Sequence, residues 1–303
     1  MKWIVSSVMA VLGSVSLLAH PDPAHNIEQI TAQIAAGDRR PPLFYSRGVE
    51  HRALGQLKEA ERDFRECVNL DPAFVPARKD LASVLADQGR TNEALVFAQE
   101  AIRHAGAKSP PVQASCWSLL ARIELARKDF KACIEATSEA FKLVPRGELD
   151  WFLLRAEAQQ GLGCAEGAIA DLKSGYDTLK SSVLRTAWLD ALVEAGRGAE
   201  ALPMIEAEMA ECRYRASWLI RRARIRVAQK QTAAAKGDLH AALAELELHI
   251  FPDEPDPTLL VERGMVFALL GETKKAREEL ERVRSITSEA DVGAPLEKLL
   301  AAQ

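Results

Sequence analysis

Two histidines near the amino terminus come closest to a metal site in residue type and spacing. The segment HPDPAH, residues 20–25, directly follows Ala19, a small residue after which an export signal is typically cleaved. Cleavage there would give His20 both an α-amine and an imidazole for a metal, with His25 as a second imidazole. Pro21 has no N–H and blocks a square-planar chelate through successive amide nitrogens. We keep copper binding or delivery through this terminus as an alternative and favour a terminus without a ligand.

Other chemistry-bearing arrangements are missing from the sequence. There is no Gly-x-Ser-x-Gly elbow, no His-Glu-x-x-His pair and no phosphate-binding glycine loop. The five cysteines are scattered without CxxC pairs or zinc spacing, so neither a disulfide framework nor a metal site is expected. Cys67 and Cys133 are predicted to be small buried residues. We therefore expect a protein that is not an enzyme and has no cofactor.

One segment is strongly basic. Residues 213–230 contain seven cations and no acid. Phosphate contacts would be one use, but the chain carries a formal net charge of -4, which gives no support for nucleic-acid binding. Acidic residues on either side favour pairing between neighbouring helices instead, and an anionic peptide or glycan is kept as an alternative ligand. These acids are Glu206, Glu208, Glu211, Glu245, Glu247, Asp253 and Glu254.

The amino terminus has the pattern of an export signal. Lys2 precedes a mostly apolar run from Trp3 to Leu18, and Ala19 is followed by a helix-breaking proline segment. The run is shorter than the roughly 20 residues that span a bilayer, so a retained anchor is the second choice. We expect an exported protein, periplasmic or extracellular, with no stable membrane insertion after cleavage.

The elements that position these residues repeat along the chain. A turn marker between two amphipathic helices recurs with steps of 34, 39, 35, 33, 34 and 41 residues. The markers are Gly55, Gly89, Lys128, Gly163, Gly196, Lys230 and Gly271. A period in this range is typical of a solenoid, in which each helical pair buries its apolar face against its neighbours. Left-handed geometry at the two lysines is expected to cost on the order of 1 kcal/mol each.

The first repeat resembles the tetratricopeptide repeat family. It has a small residue inside its first helix, glycine at the turn, alanine and an aromatic residue on its second helix, and proline at its exit: Gly48, Gly55, Ala60, Phe64 and Pro72. The resemblance implies an all-α, right-handed superhelical solenoid of about seven helix-turn-helix repeats. We assign residues 1–19 to the export signal, 20–40 to a tail and capping helix, 41–285 to the repeats and 286–303 to a C-terminal cap.

The same resemblance implies a concave groove lined by the first helix of each repeat. The positions carried over from the family's pattern are Tyr45, Arg52, Lys79, Arg122, Glu157, Asp190, Arg221 and Arg224. Their charges form a basic, an acidic and a second basic block, a pattern that favours an extended ligand of complementary charge. Val49 and Ser83 stand where the subtype that clamps chaperone tails needs asparagine, so that subtype is rejected.

These features together predict an exported, non-catalytic scaffold that binds a peptide or protein partner in the groove. An accessory subunit of a separate envelope enzyme is a further alternative, which would differ from the scaffold only in its partner.

Overall fold

The computed structural model describes residues 22–287 and 290–301, and this part of the chain forms sixteen α-helices and no strand. Their bounds are α1 Pro23–Ala35, α2 Pro41–Ala53, α3 Leu57–Leu70, α4 Val75–Asp87, α5 Thr91–Ala105, α6 Pro110–Ala126, α7 Phe130–Leu143, α8 Leu149–Gly161, α9 Ala165–Leu179, α10 Ser182–Glu194, α11 Gly198–Glu211, α12 Ala216–Ala228, α13 Thr232–His249, α14 Pro257–Leu270, α15 Thr273–Ile286 and α16 Ala290–Ala301. The all-α class is confirmed. None of the helices described is long and apolar enough to cross a membrane. The predicted export signal lies outside the described residues.

The helices pair into repeats, and the chain divides into two compact units after Pro145. The first unit contains α1 and the pairs α2/α3, α4/α5 and α6/α7, and the second contains the pairs α8/α9, α10/α11, α12/α13 and α14/α15 followed by α16. Within each unit, successive helices pack on one another and first helices also contact first helices, as α4 contacts α6 and α12 contacts α14. This is the packing of a helical solenoid.

All seven predicted turn markers have left-handed backbone geometry. The five glycines have φ between 71° and 83°, and Lys128 and Lys230 have φ of 62° and 60°. Left-handed geometry reverses the chain after the first helix of each repeat and lets the second helix fold back on it. The period of the sequence therefore corresponds to a repeated backbone conformation.

Small residues allow neighbouring helices to approach closely. A Cβ on Gly48 of α2 would lie 2.7 Å from the Phe64 ring of α3. A Cβ on Gly264 of α14 would lie 2.4 Å from Cδ2 of Leu296 on α16. Both distances are shorter than those of real Cβ contacts, so a larger residue would force the Phe64 ring or the Leu296 side chain to shift.

A charged pair recurs inside four of the repeats, with arginine on the first helix and an acid sixteen residues later on the second. The pairs are Arg47–Asp63, Arg155–Asp171, Arg222–Asp238 and Arg263–Glu279, all joined by hydrogen bonds of 2.5–3.1 Å. The arginine always precedes the small residue of the crossing. The other repeats have apolar residues at both positions, for example Leu81 and Phe97 in the second repeat. We call these pairs the repeat staples.

The helices at the two ends cover the exposed faces of the terminal repeats. Ile34 of α1 packs against a cluster that contains Phe44, Cys67 and Val68, and the predicted burial of Cys67 and Cys133 is confirmed. Leu296 of α16 is fully buried among residues of α14 and α15. Asp22 caps α1, and α16 continues through Pro295.

Candidate binding groove

The second unit contains a groove formed by first helices and closed by α16. Residues of α10, α12, α14 and α16 surround a cavity of about 560 Å³. Its apolar lining includes Ile220, Val261 and Met265. Its charged residues are Asp190, Glu194, Arg221, Arg224, Glu262 and Lys298. Three acids and three cations leave this surface without net formal charge. We call it the second-unit groove.

A bidentate ion pair holds two neighbouring first helices together in the groove. Nε and Nη2 of Arg221 on α12 each donate a 2.8 Å hydrogen bond to the carboxylate of Asp190 on α10. The Arg221 guanidinium also lies 5.1 Å from the centre of the Trp218 ring. Parallel bonds of this kind are strong and directional, so the pair is a fixed part of the groove wall.

A looser ion pair stands nearby. Nη2 of Arg224 is 3.8 Å from the Glu194 carboxylate, and Nζ of Lys298 donates a 2.9 Å hydrogen bond to the other oxygen of the same group. Lys298 lies 104 residues from Glu194 and reaches it because α16 lies along the groove. The Lys298 side chain is 69% exposed, so this contact is readily exchanged with water or a ligand.

Glu262 is a half-buried acid of the groove. Tyr214 donates a 2.6 Å hydrogen bond to its carboxylate. Burial raises the pKa of Glu262 above the ordinary carboxyl value, although the Tyr214 hydrogen bond and the charge of Arg221 act in the opposite direction. Burial also raises the pKa of Tyr214, as do its hydrogen bond to Glu262 and the charge of that residue. The carboxylate stands beside the apolar lining, where it can accept a hydrogen bond from a ligand.

Three of the eight residues predicted for the groove come together here: Asp190, Arg221 and Arg224. Their acidic and basic blocks pair with each other, Arg221 with Asp190 and Arg224 with Glu194. The blocks therefore present a mixed surface. The first helices of adjacent repeats lie side by side, and the residues that meet are about 31 positions apart in the sequence. Glu157 is exposed on α8 and does not line this cavity.

The remaining predicted residues lie in the first unit. Tyr45 donates a 2.9 Å hydrogen bond to Asp80, and burial together with the Asp80 charge raises its pKa. Arg52 donates a 2.8 Å hydrogen bond to Ser83 and lies 3.7 Å from Asp80. Lys79 is half-buried and Arg122 is exposed. These first-helix contacts join α2 to α4.

The basic segment 213–230 pairs between helices, but mainly with acids other than those expected. Arg221 and Arg224 reach back to α10, while Arg222 and Arg226 both bind Asp238 of α13. Among the acids named from the sequence, Glu245 accepts only a backbone N–H, that of Arg215.

Several groove residues escaped the sequence analysis. Glu262 and Met265 stand nine and six residues before the seventh turn marker, the positions that Arg221 and Arg224 occupy before the sixth. The repeat register itself would have identified them. No periodic signal points to Lys298, which lies beyond the last repeat. His20 lies outside the described residues, and His25 is an exposed residue of α1 whose Nε2 lies 2.8 Å from Gln29.

Comparison with known proteins finds a matching family model and solved structures of similar fold. Residues 41–74 match the model of the tetratricopeptide repeat. The chain is similar to a tetratricopeptide repeat protein from Parabacteroides merdae ATCC 43184, with 16% identity and a TM-score of 0.61 over 91% of this chain and 99% of that one. It also matches a chain of the APC/C hetero-tetramer Cut9-Hcn1, with 13% identity and a TM-score of 0.52 over 92% of this chain and 46% of that one. No curated protein matches the sequence.

The first repeat is therefore similar to a tetratricopeptide repeat, and the helical pairs that follow have the fold of the tetratricopeptide repeat protein that the chain matches. Proteins of this architecture bind other proteins through surfaces built from successive repeats.

Proposed function

We propose that the protein is an exported, non-catalytic scaffold that binds a segment of a peptide or protein partner in the second-unit groove. The observation that carries this proposal is the groove itself, an apolar-lined cavity of about 560 Å³ with acids and bases around it. A pocket of this size holds a few side chains of an extended segment. The equal number of acids and cations suits a partner segment of mixed charge.

A substitution at the mouth of the cavity can test whether the groove binds a peptide. Ala294 is exposed and lines the cavity, so Ala294→Trp fills the mouth without disturbing the core. Ala233 is also exposed, on α13 of the same unit, but does not line the cavity, and Ala233→Trp is the matched control.

The test uses the immobilised full-length protein and a tryptic peptide pool from the envelope of the source cell. Mass spectrometry measures which peptides are enriched. We expect the wild type and Ala233→Trp to enrich the same peptides and Ala294→Trp to lose them. Equal enrichment by both variants, or no enrichment by the wild type, contradicts binding in the groove.

Export is the second part of the proposal and rests on the pattern of residues 1–19. Amino-terminal sequencing of the protein recovered from each cell fraction tests it. We expect the exported fraction to begin at His20. A protein that keeps Lys2 and remains in the cytosol contradicts export.

A further inference from the structure

The sixth repeat differs from the others at the end of its second helix. Helix α13 has 18 residues, whereas the second helices of the other repeats have 14 or 15. The connection that follows, residues 250–256, has seven residues, compared with two to five between the other repeats. This insertion accounts for the step of 41 residues between the last two turn markers. We call residues 247–254 the overhang.

The overhang presents the two most exposed large apolar side chains in the described part of the chain. Leu248 is 78% exposed and Phe251 is 69% exposed, and the next such residue, Val96, is 52% exposed. Exposing two large apolar groups within four residues costs solubility and contributes nothing to the core.

The segment is nevertheless held in place. Ile250, between the two exposed residues, packs against the core clusters on both sides of the connection. His249 contacts the Tyr214 ring edge-on at 5.3 Å and lies 2.8 Å from the Glu245 carbonyl oxygen. Prolines at 252, 255 and 257 restrict the backbone that follows. A surface ordered in advance loses little entropy when a partner binds.

The stretch of sequence that contains the overhang carries charges of one sign. No lysine or arginine occurs between Lys236 and Arg263, while this stretch contains seven acids. Four of the acids have structural partners: Asp238 binds two arginines, Glu245 accepts a backbone N–H, Asp256 caps α14 and Glu262 binds Tyr214.

The three remaining acids, Glu247, Asp253 and Glu254, are exposed, and the described residues provide no ion pair for them. They flank Leu248 and Phe251 in sequence. The three acids without an ion pair among the described residues therefore lie close in sequence to the two most exposed large apolar side chains of the same residues.

We propose that the overhang is a second interaction surface, separate from the second-unit groove, and that it binds a cationic amphipathic segment of a partner protein. Leu248 and Phe251 would contact the apolar side of that segment, and the three acids would face its lysines or arginines. A second copy of this chain is disfavoured as the occupant, because like charges would meet across a symmetric contact.

A designed peptide probes this surface directly. The fluorescein-labelled helix LKKLLKLLKKLLKL is titrated with the full-length protein, and anisotropy reports binding. We expect Leu248→Ser together with Phe251→Ser to weaken binding at least about tenfold. Neutralising the acids by Glu247→Gln, Asp253→Asn and Glu254→Gln should weaken it by a similar factor and flatten its salt dependence. All five positions are exposed, so the variants should keep the helical content and melting temperature of the wild type.

The controls separate this surface from its alternatives. Val96→Ser removes an exposed apolar group elsewhere, and Ala294→Trp blocks the groove; both should bind the probe like the wild type. The proposal is overturned if the overhang variants bind normally, if Ala294→Trp abolishes binding, or if the peptide LEELLELLEELLEL binds equally well. Self-association of the wild type that disappears in the Leu248→Ser, Phe251→Ser variant would identify a second copy as the occupant and would also overturn it.

Discussion

Removing one member of a repeat staple should destabilise the protein more than removing both. In the first repeat, Nε and Nη2 of Arg47 each donate a 2.7 Å hydrogen bond to the Asp63 carboxylate. The Asp63 side chain is 5% exposed and that of Arg47 is 17% exposed. Asp63→Ala leaves a guanidinium largely out of water without its counter-ion.

The expected cost follows from this burial. Breaking a buried ion pair on one side costs about 3–5 kcal/mol. Arg47 keeps a hydrogen bond to Thr31 and lies 5.9 Å from the Phe44 ring, and its tip can turn toward water. We therefore expect the free energy of unfolding to fall by about 3 kcal/mol, near the lower limit.

The second repeat shows how the cost can be avoided. It carries Leu81 and Phe97 where the first repeat carries Arg47 and Asp63. Arg47→Leu combined with Asp63→Phe should return to within about 1.5 kcal/mol of the wild type, because packed apolar residues replace a buried pair at little net cost. Urea denaturation of the two single variants and the double variant gives the coupling energy.

The exposed pair Lys142–Glu139 provides the control, since its side chains are 69% and 42% exposed. Glu139→Ala should change stability by less than about 1 kcal/mol. A loss below about 1 kcal/mol for Asp63→Ala would refute the reasoning, and so would a double variant less stable than both single variants.

Further predictions concern backbone strain, a buried acid and thiol reactivity. Lys128→Gly should raise the free energy of unfolding by about 0.5–1 kcal/mol by relieving left-handed strain, whereas Gly89→Ala should lower it by about 1 kcal/mol although its Cβ would meet nothing within 4 Å; urea denaturation measures both. The pKa of Glu262 is raised by burial, so its contribution to stability is present below the ordinary carboxyl pKa and is lost as the pH rises through the raised value. Glu262→Gln should therefore stabilise the protein at pH 7.5 relative to the wild type and lose this advantage near pH 4, as denaturation at the two pH values would show. Exposed Cys164 should react with iodoacetamide at pH 8 well before Cys67, whose pKa burial raises to about 11, and peptide mapping by mass spectrometry would give the order.

The repeating backbone was predictable because its signals are local. A left-handed turn at each marker depends on only a few neighbouring residues, and Lys128 and Lys230 were placed there by register alone. The small residue Gly48 was predictable for the same reason, since the crossing of the two helices recurs in every repeat.

The partners of charged side chains were harder to predict. Arg221 binds Asp190, 31 residues earlier, and Arg222 binds Asp238, 16 residues later. Both spacings follow from the repeat, but the partners can be assigned only once it is known which sides of the helices face each other. The Lys298–Glu194 contact has no periodic origin, because it depends on how α16 lies along the groove.

The two proposed surfaces should respond differently to salt. The second-unit groove has three acids and three cations already paired or close to one another, so a ligand there exchanges one set of ion pairs for another. Salt weakens the ion pairs of the free and bound states alike, so its effect on affinity largely cancels. The overhang has three acids around two exposed apolar side chains, and binding a cationic segment creates ion pairs that did not exist before. Raising the salt concentration from 0.05 to about 0.5 M should therefore lower the affinity of the cationic peptide for the overhang several-fold. The affinity of peptides for the groove should change much less. Equal salt dependence at both surfaces would mean that the charges of the groove are not paired in solution as they are in the structure.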